Sequence, residues 1–232
     1  MSLSERSGSA ALLDAQAIRK SFGRTDALQG ASMSVAAGEI VAITGPSGSG
    51  KSTLLLCAAG VLRPESGRVT YDGQLLDDLG EAERSRLRRR DFGLVLQFGQ
   101  LVPELTAAQN VALPLLLDRH DKAASFAAAR SWLERLDADE LADARPGEMS
   151  GGESQRVAIA RALVSGPRVI FADEPTGALD TVNGERVLQV LLDVARETAA
   201  SLVLVTHDNR VAASADREIV LRDGCNEQRV DV

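Results

Sequence analysis

An α/β fold is predicted, with a mixed, mainly parallel sheet, an antiparallel β-subdomain and an inserted helical subdomain. Ile40-Val41-Ala42-Ile43, Val169-Ile170-Phe171-Ala172 and Leu202-Val203-Leu204-Val205 are aliphatic runs without polar alternation, the pattern of strands buried on both faces. Residues 67–71 run into Asp72-Gly73, and residues 218–221 lead to Asp223-Gly224, dipeptides that turn antiparallel strands. Residues 106–141 carry helical spacing and an Ala-rich stretch at 123–129, favourable for helix.

In chain order, the strand at 40–43 ends at Gly45, and the apolar run 53–59 after it reads as a helix. A fourth buried run, Gly93-Leu94-Val95-Leu96, ends at Gln97. The helical block follows, at about 100–150. The strands at 169–172 and 202–205 then lead to Asp173 and His207. Ligands of open α/β sheets sit outside the carboxyl ends of the strands. Four polar strand ends gathered there are a site prediction in themselves.

Composition narrows the function. The 232 residues include 26 Lys+Arg and 33 Asp+Glu, a formal net charge of −7, with 44% hydrophobic and 25% charged residues. This is ordinary globular composition and excludes disorder as the main state. The length supports one core with at most a small appended subdomain. An acidic chain lacks the clustered positive charge of a general nucleic-acid binder, and 3% aromatic content argues against base-stacking platforms. Cys57 and Cys225 are the two cysteines, too few for a disulfide scaffold, which makes a reducing cytosol the expected setting. Residues 1–9 read as a flexible polar tail and 10–232 as one domain. No apolar stretch approaches the ~20 residues that cross a bilayer, so any work at a membrane is expected from the water side.

Gly45-Pro46-Ser47-Gly48-Ser49-Gly50-Lys51-Ser52 fits the phosphate-binding pattern G-x-x-x-x-G-K-[ST], between a buried strand and a helix. The core is therefore expected to be that of a P-loop NTPase. Glycines let successive N–H groups curl around anionic oxygens, and the helix N-terminus adds partial positive charge. Candidate nucleotide-binding residues are Gly45, Ser47, Gly48, Ser49, Gly50, Lys51, Ser52 and Thr53. Lys51 offers a full charge to the β- and γ-phosphates, and Ser52 a hydroxyl to Mg²⁺.

Asp173-Glu174 closes another buried strand. Successive strand residues point oppositely, so the two carboxylates have different work. Asp173 suits Mg²⁺, and Glu174 suits positioning or deprotonating an attacking water. A solvated strand-to-turn pair is the alternative. Cys57, in the apolar helix after the loop, reads as packing, and His120 receives no role.

Ser150-Gly151-Gly152-Glu153, with Gln155-Arg156-Val157-Ala158-Ile159-Ala160-Arg161-Ala162-Leu163 after it, resembles the signature motif of ABC-transporter ATPases. Together with the phosphate loop, Asp173-Glu174-Pro175-Thr176, Ala178-Leu179-Asp180 and Thr206-His207-Asp208, it reproduces that family's motif set in order. Leu101-Val102-Pro103-Glu104-Leu105-Thr106-Ala107, Asn110-Val111-Ala112-Leu113-Pro114 and Glu153 are similar to the lipoprotein-release, macrolide-exporter and FtsE-type branch.

The resemblance implies a RecA-like core and an ATPase that uses ATP and Mg²⁺. It implies a second copy of the subunit as partner, so that each nucleotide lies between one copy's phosphate loop and the other's Ser150, Gly151, Gly152 and Glu153. A helix cap is the alternative reading of Ser-Gly-Gly. The resemblance makes Gln97 a ligand of Mg²⁺ or the attacking water, a structural amide being the alternative. It makes His207 a γ-phosphate contact and Phe22 the aromatic that stacks on adenine, unless Phe22 packs under the β-subdomain. A transmembrane permease is the implied membrane partner, contacted from the cytoplasmic face, with membrane contact running through it. An FtsE-type ATPase that signals without transporting is the alternative. Arg84, Arg86, Arg88, Arg89 and Arg90 read either as a contact for lipid or permease or as a helix face balanced by Asp77, Asp78, Glu81 and Glu83.

Overall fold

The computed structural model describes residues 11–97, 100–177, 179 and 181–227; the tail expected at 1–9, Ala178 and Asp180 lie outside these described residues. Two sheets organise the chain. The larger contains β3 (Ile40–Thr44), β6 (Phe92–Val95), β7 (Val169–Asp173), β8 (Ser201–Val205), β9 (Arg217–Arg222) and β10 (Cys225–Asn226). Its order is β10-β9-β3-β8-β7-β6. All neighbours are parallel except β9 and β10, which form the expected hairpin.

The smaller sheet is antiparallel, with order β2-β1-β4-β5. Its strands are β1 (Leu13–Phe22), β2 (Thr25–Val35), β4 (Ser66–Tyr71) and β5 (Gln74–Leu75). The turn at Asp72-Gly73 joins β4 to β5 as predicted, whereas the β1–β2 hairpin is a feature the sequence reading did not assign.

Alternation along the buried strands divides the core in two. Val169, Phe171, Val203 and Val205 belong to one cluster, with α1 (Lys51–Ala58) and the antiparallel sheet. Ile170, Ala172, Leu202 and Leu204 belong to the other, with α3 (Ala107–Leu117), α4 (Lys122–Arg135), α5 (Gly151–Leu163) and α6 (Thr181–Thr198). Successive residues point to opposite faces, so a continuous aliphatic run is what a doubly covered sheet requires. Phe171 is fully buried and meets Phe92 edge-on, with ring centroids 5.2 Å apart.

The block between β6 and α5 has the predicted helical character. Thr106 caps α3 reciprocally with Gln109, and Asp121 caps α4 by accepting from Ala124 N–H at 2.9 Å. α2 (Glu81–Arg90) carries the arginines. Glu81 pairs with Arg84 at 2.9 Å and Arg88 at 2.8 Å, and Arg90 with Asp118 at 2.8 Å. The balanced-face reading thus needs a change of partners: Glu83 turns back to accept from Gly80 N–H, and Asp118, the residue just past the end of α3, takes up Arg90.

Parallel pairing aligns the strand ends. Asp173 lies opposite Val205, Ile43 opposite Val205 from the other side, and Val95 opposite Ala172. The strands stop two residues short of Gln97 and His207, so these side chains stand on the loops beyond the sheet and not at the strand ends themselves.

Candidate functional site: a phosphate loop and a carboxylate held from two sides

The loop between β3 and α1 is shaped by close backbone approaches. Gly45 has φ +138°, and a Cβ there would lie 2.0 Å from the Leu221 carbonyl oxygen. Gly50 has φ +96°, and its Cβ would meet the Ala27 carbonyl oxygen at 2.3 Å. Only glycine fits either position. A Cβ on Gly48 would meet open space. Gly50 brings no capping side chain to α1, which leaves the first-turn N–H groups of Lys51, Ser52 and Thr53 for an outside acceptor. Within the same loop as Ser47, the Ser49 hydroxyl is buried with no hydrogen-bond partner.

Lys51 is only 7% exposed. Its Nζ donates to the carbonyls of Gly45 at 2.9 Å and Pro46 at 2.8 Å. An ammonium has three donors, so one remains for a phosphate oxygen. Ser52 Oγ donates to Asp173 Oδ1 at 3.0 Å. Burial pushes the Asp173 carboxyl above its usual range; the Ser52 hydrogen bond pulls back, the Glu174 charge adds to the rise and the Lys51 charge opposes it. A hydroxyl and a carboxylate are hard oxygen donors, the set that suits Mg²⁺. Among the described residues no group of three His, Cys, Asp or Glu is gathered to cage a metal.

Glu174 follows directly on β7 with φ +45°, a left-handed conformation that a non-glycine residue rarely adopts. The turn is fixed by Glu174 N–H donating to Val205 O and Gly177 N–H donating to Glu174 O, both at 3.0 Å. The side chain is thereby delivered to Gln97, whose Nε2 donates to Glu174 Oε2 at 3.3 Å, and to His207, whose Nδ1 lies 3.0 Å from Oε1. An open cavity of about 290 Å³ beside this carboxylate includes Thr176, Leu179, Thr206 and Arg210 in its walls. The loop residues, Asp173, Glu174, Gln97 and His207 are therefore gathered at the carboxyl edge of the sheet.

Ser150, Gly151, Gly152 and Glu153 form a separate end. α5 begins at Gly151, and Ser150 is its N-cap. Ser150 Oγ accepts from Glu153 N–H at 3.3 Å, and Glu153 Oε2 accepts from Ser150 N–H at 2.7 Å. These bonds hold the Glu153 carboxyl below its usual range. The cap reading is thus correct, and it coexists with an exposed helix N-terminus. Phe22 ends β1 at the hairpin tip, 50% exposed, with Lys20 Nζ 5.6 Å from its ring centre. It does not pack under the β-subdomain.

Two amides escaped the sequence reading as structural determinants. Asn110 is fully buried, accepts from Val102 N–H at 2.8 Å and donates at 3.1 Å to the carbonyls of Val102, Leu105 and Thr106. Gln155, 1% exposed, donates to Pro175 O and Leu96 O. A polar amide inside an otherwise apolar helix face is the signal that marks both.

This fold and this loop define a P-loop nucleotide-binding ATPase. Residues 28–177 match the profile of the ABC transporter family. The lipoprotein-releasing system ATP-binding protein LolD of Shewanella frigidimarina is 41% identical over 218 residues, covering 92% of this chain and 91% of that protein. LolD of Syntrophotalea carbinolica is 44% identical over 219 residues, covering 93% and 96%. Among solved structures, the chain is similar to a dimeric post-hydrolysis state of the ATP-binding cassette MJ0796 bound to ADP and Pi. That similarity has TM-score 0.88, 37% identity and coverage of 93% of this chain and 97% of that one. Another dimeric structure of MJ0796, a bacterial ABC transporter cassette, gives TM-score 0.89 at 38% identity with the same coverage. The chain belongs to the ABC transporter family, and it is an ATP-binding and ATP-hydrolysing subunit of that family.

Proposed function

We propose that this subunit pairs with a second copy around two MgATP and drives a permease of the lipoprotein-release type from the cytoplasmic side of the membrane. The relatives named above are ATP-binding proteins of a lipoprotein-releasing system by name. No helix among the described residues is long and apolar enough to cross a membrane, which accords with a peripheral subunit that reaches the bilayer through its permease. The region at about 100–150 is read as a helical subdomain inserted in the core.

The single observation that carries the reading is the Glu174 carboxylate, held by Gln97 and His207 beside the phosphate loop. In this reading the Lys51 ammonium and the N–H groups of Gly45 and residues 47–53 bind the β- and γ-phosphates. Ser52, Asp173 and Gln97 would hold Mg²⁺, which would offset the negative charge that develops on the phosphate oxygens. Glu174 orients a water toward the γ-phosphorus and accepts its proton. The bond from phosphorus to the β–γ bridging oxygen breaks, leaving ADP and phosphate. His207 steadies Glu174 and reaches the γ-phosphate from the other side, and Phe22 stacks on the base.

Ser150 and the N–H groups of Gly151 and Gly152 serve the second copy's γ-phosphate. Ser150 Oγ spends an acceptor site on the Glu153 N–H, so its own proton stays available for an anion. Moving a pairing equilibrium from about 1:99 to 99:1 takes ~5.5 kcal/mol of differential binding, and two γ-phosphates each newly contacted by such a helix end are its source. The deciding experiment is Glu174→Gln: MgATP binding retained and hydrolysis slowed at least ~10²-fold, the scale of a lost general base. Wild-type turnover by this variant would end the assignment.

A further inference from the structure

α5 does more than present Ser150 at its first turn. Gln155 sits on the buried side of this helix, and its Nε2 donates at 3.2 Å to Pro175 O and at 3.4 Å to Leu96 O. Leu96 immediately precedes Gln97, and Pro175 immediately follows Glu174. One amide therefore joins the two backbones whose side chains meet at 3.3 Å as Gln97–Glu174. Farther along the same helix, Arg161 Nη1 donates to Gln100 O at 3.0 Å, where Gln100 has a left-handed φ of +44°. The loop that carries Gln97 is thus tied to α5 both before and after that residue.

These bonds fix a distance. Leu96 lies just past the end of β6 and Pro175 past the end of β7, beyond the sheet ladders of those strands. At 1% exposure, Gln155 leaves little room for water to replace its donors, and a buried carbonyl that loses its donor is costly. A displacement of α5 is therefore passed to both loops together.

We infer that Gln155 is a positioning residue for ATP hydrolysis. It sets the approach of Gln97 to Glu174 and links that approach to the Ser150 end of the same helix. The inference rests on the proposed function: if Ser150 engages the second copy's nucleotide, seating of that end and alignment of this copy's own Glu174 report to each other through one buried amide. Gln155 makes no contact with nucleotide in this account.

Gln155→Met keeps the side chain's length and removes both donors. In steady-state ATPase assays on the full chain, the expected result is a kcat about 10- to 100-fold lower, the scale of a displaced reacting group. Nucleotide affinity, measured by direct titration, stays within about threefold of wild type, so the loss falls on kcat and spares binding. A kcat within about twofold of wild type overturns the inference. So does a parallel loss of kcat, nucleotide affinity and melting temperature, which marks a merely structural amide. Should the Met variant not fold, Gln155→Asn carries the same test, since its shorter side chain keeps a polar group yet cannot span both carbonyls. Glu174→Gln is assayed alongside. If it retains turnover, the proposed chemistry fails whatever Gln155 does; if it is inactive while the Gln155 variants match wild type, only the Gln155 inference fails.

Discussion

His207 Nδ1 lies 3.0 Å from Glu174 Oε1, and Gln97 Nε2 donates to the other oxygen of the same carboxylate at 3.3 Å. Both oxygens are engaged at a residue whose φ of +45° costs of order 1–3 kcal/mol and persists only where surroundings over-determine it. The conformation serves to aim a carboxylate. His207→Ala is accordingly expected to lower kcat by about 10²-fold. Because His207 both steadies Glu174 and contacts the γ-phosphate in the proposed reading, adding His207→Ala to Glu174→Gln is expected to slow hydrolysis further by less than the ~10²-fold of the single His207 loss. Single-turnover hydrolysis checks this, and multiplicative losses would mean that the two residues work independently.

Lys51 is held by two backbone carbonyls at the mouth of its own loop, so its charge is already in place before a phosphate arrives. Lys51→Ala removes that charge and leaves the glycine cradle. MgATP affinity is expected to fall at least about tenfold, a loss of ~1.4 kcal/mol. A second readout is thermal: ligand at 100 times Kd stabilises a folded protein by about 2.7 kcal/mol. Wild type should show that stabilisation at a nucleotide concentration where the variant, binding at least about tenfold more weakly, shows at most about half of it. Equal titration curves would remove Lys51 from phosphate binding.

Ser150 has two separable jobs, capping α5 and presenting a donor to a second copy. Ser150→Asp retains an N-cap acceptor and places negative charge where the partner's γ-phosphate is proposed to sit. Its melting temperature should stay close to wild type, while ATP-driven pairing in a Glu174→Gln background disappears from sedimentation profiles. Ser150→Arg should block pairing as well, with an additional stability loss of roughly 0.5–2 kcal/mol from the missing cap. Persistence of the ATP-dependent dimer in the Asp variant would refute the shared site.

The buried strands and the phosphate loop were legible because each leaves a local mark. A doubly covered strand must be apolar at consecutive positions, as at 169–172, and the loop must have glycine where Leu221 O and Ala27 O press on it. The β1–β2 hairpin left no such mark. Its strands are bulged and half exposed, with register shifts on either side of Ile18 and a left-handed Ala17, so alternation is confined to short stretches such as 31–35 and breaks off where the bulges begin. The strained φ at Glu174 was equally invisible, since it is imposed by hydrogen bonds to Val205 and Gly177 that only tertiary structure brings within reach. Gln155 could be read as part of a motif, but its two carbonyl partners lie 59 and 20 residues away.

Cys57 offers a check on the packing of α1 that is independent of catalysis. It is 1% exposed, and burial pushes its thiol up to about 11, with the Lys20 charge pulling partly back and Asp77 adding slightly. Cys225 is exposed. The thiolate is the reactive form, and at pH 8 a thiol with a pKa of about 11 is roughly 0.1% ionised. A thiol-exchange reagent should therefore titrate one cysteine rapidly in the native protein and the second only after denaturation. The linkage has a definite sign. A thiol that ionises at about 9 in the unfolded chain and about 11 in the folded one contributes its full stability below pH 9 and loses it as pH rises toward 11. Cys57→Ala should flatten that decline without restoring the packing it removes. Rapid reaction of both thiols at pH 8 in the folded protein would contradict the buried face of α1, on which the orientation of Lys51 and Ser52 depends.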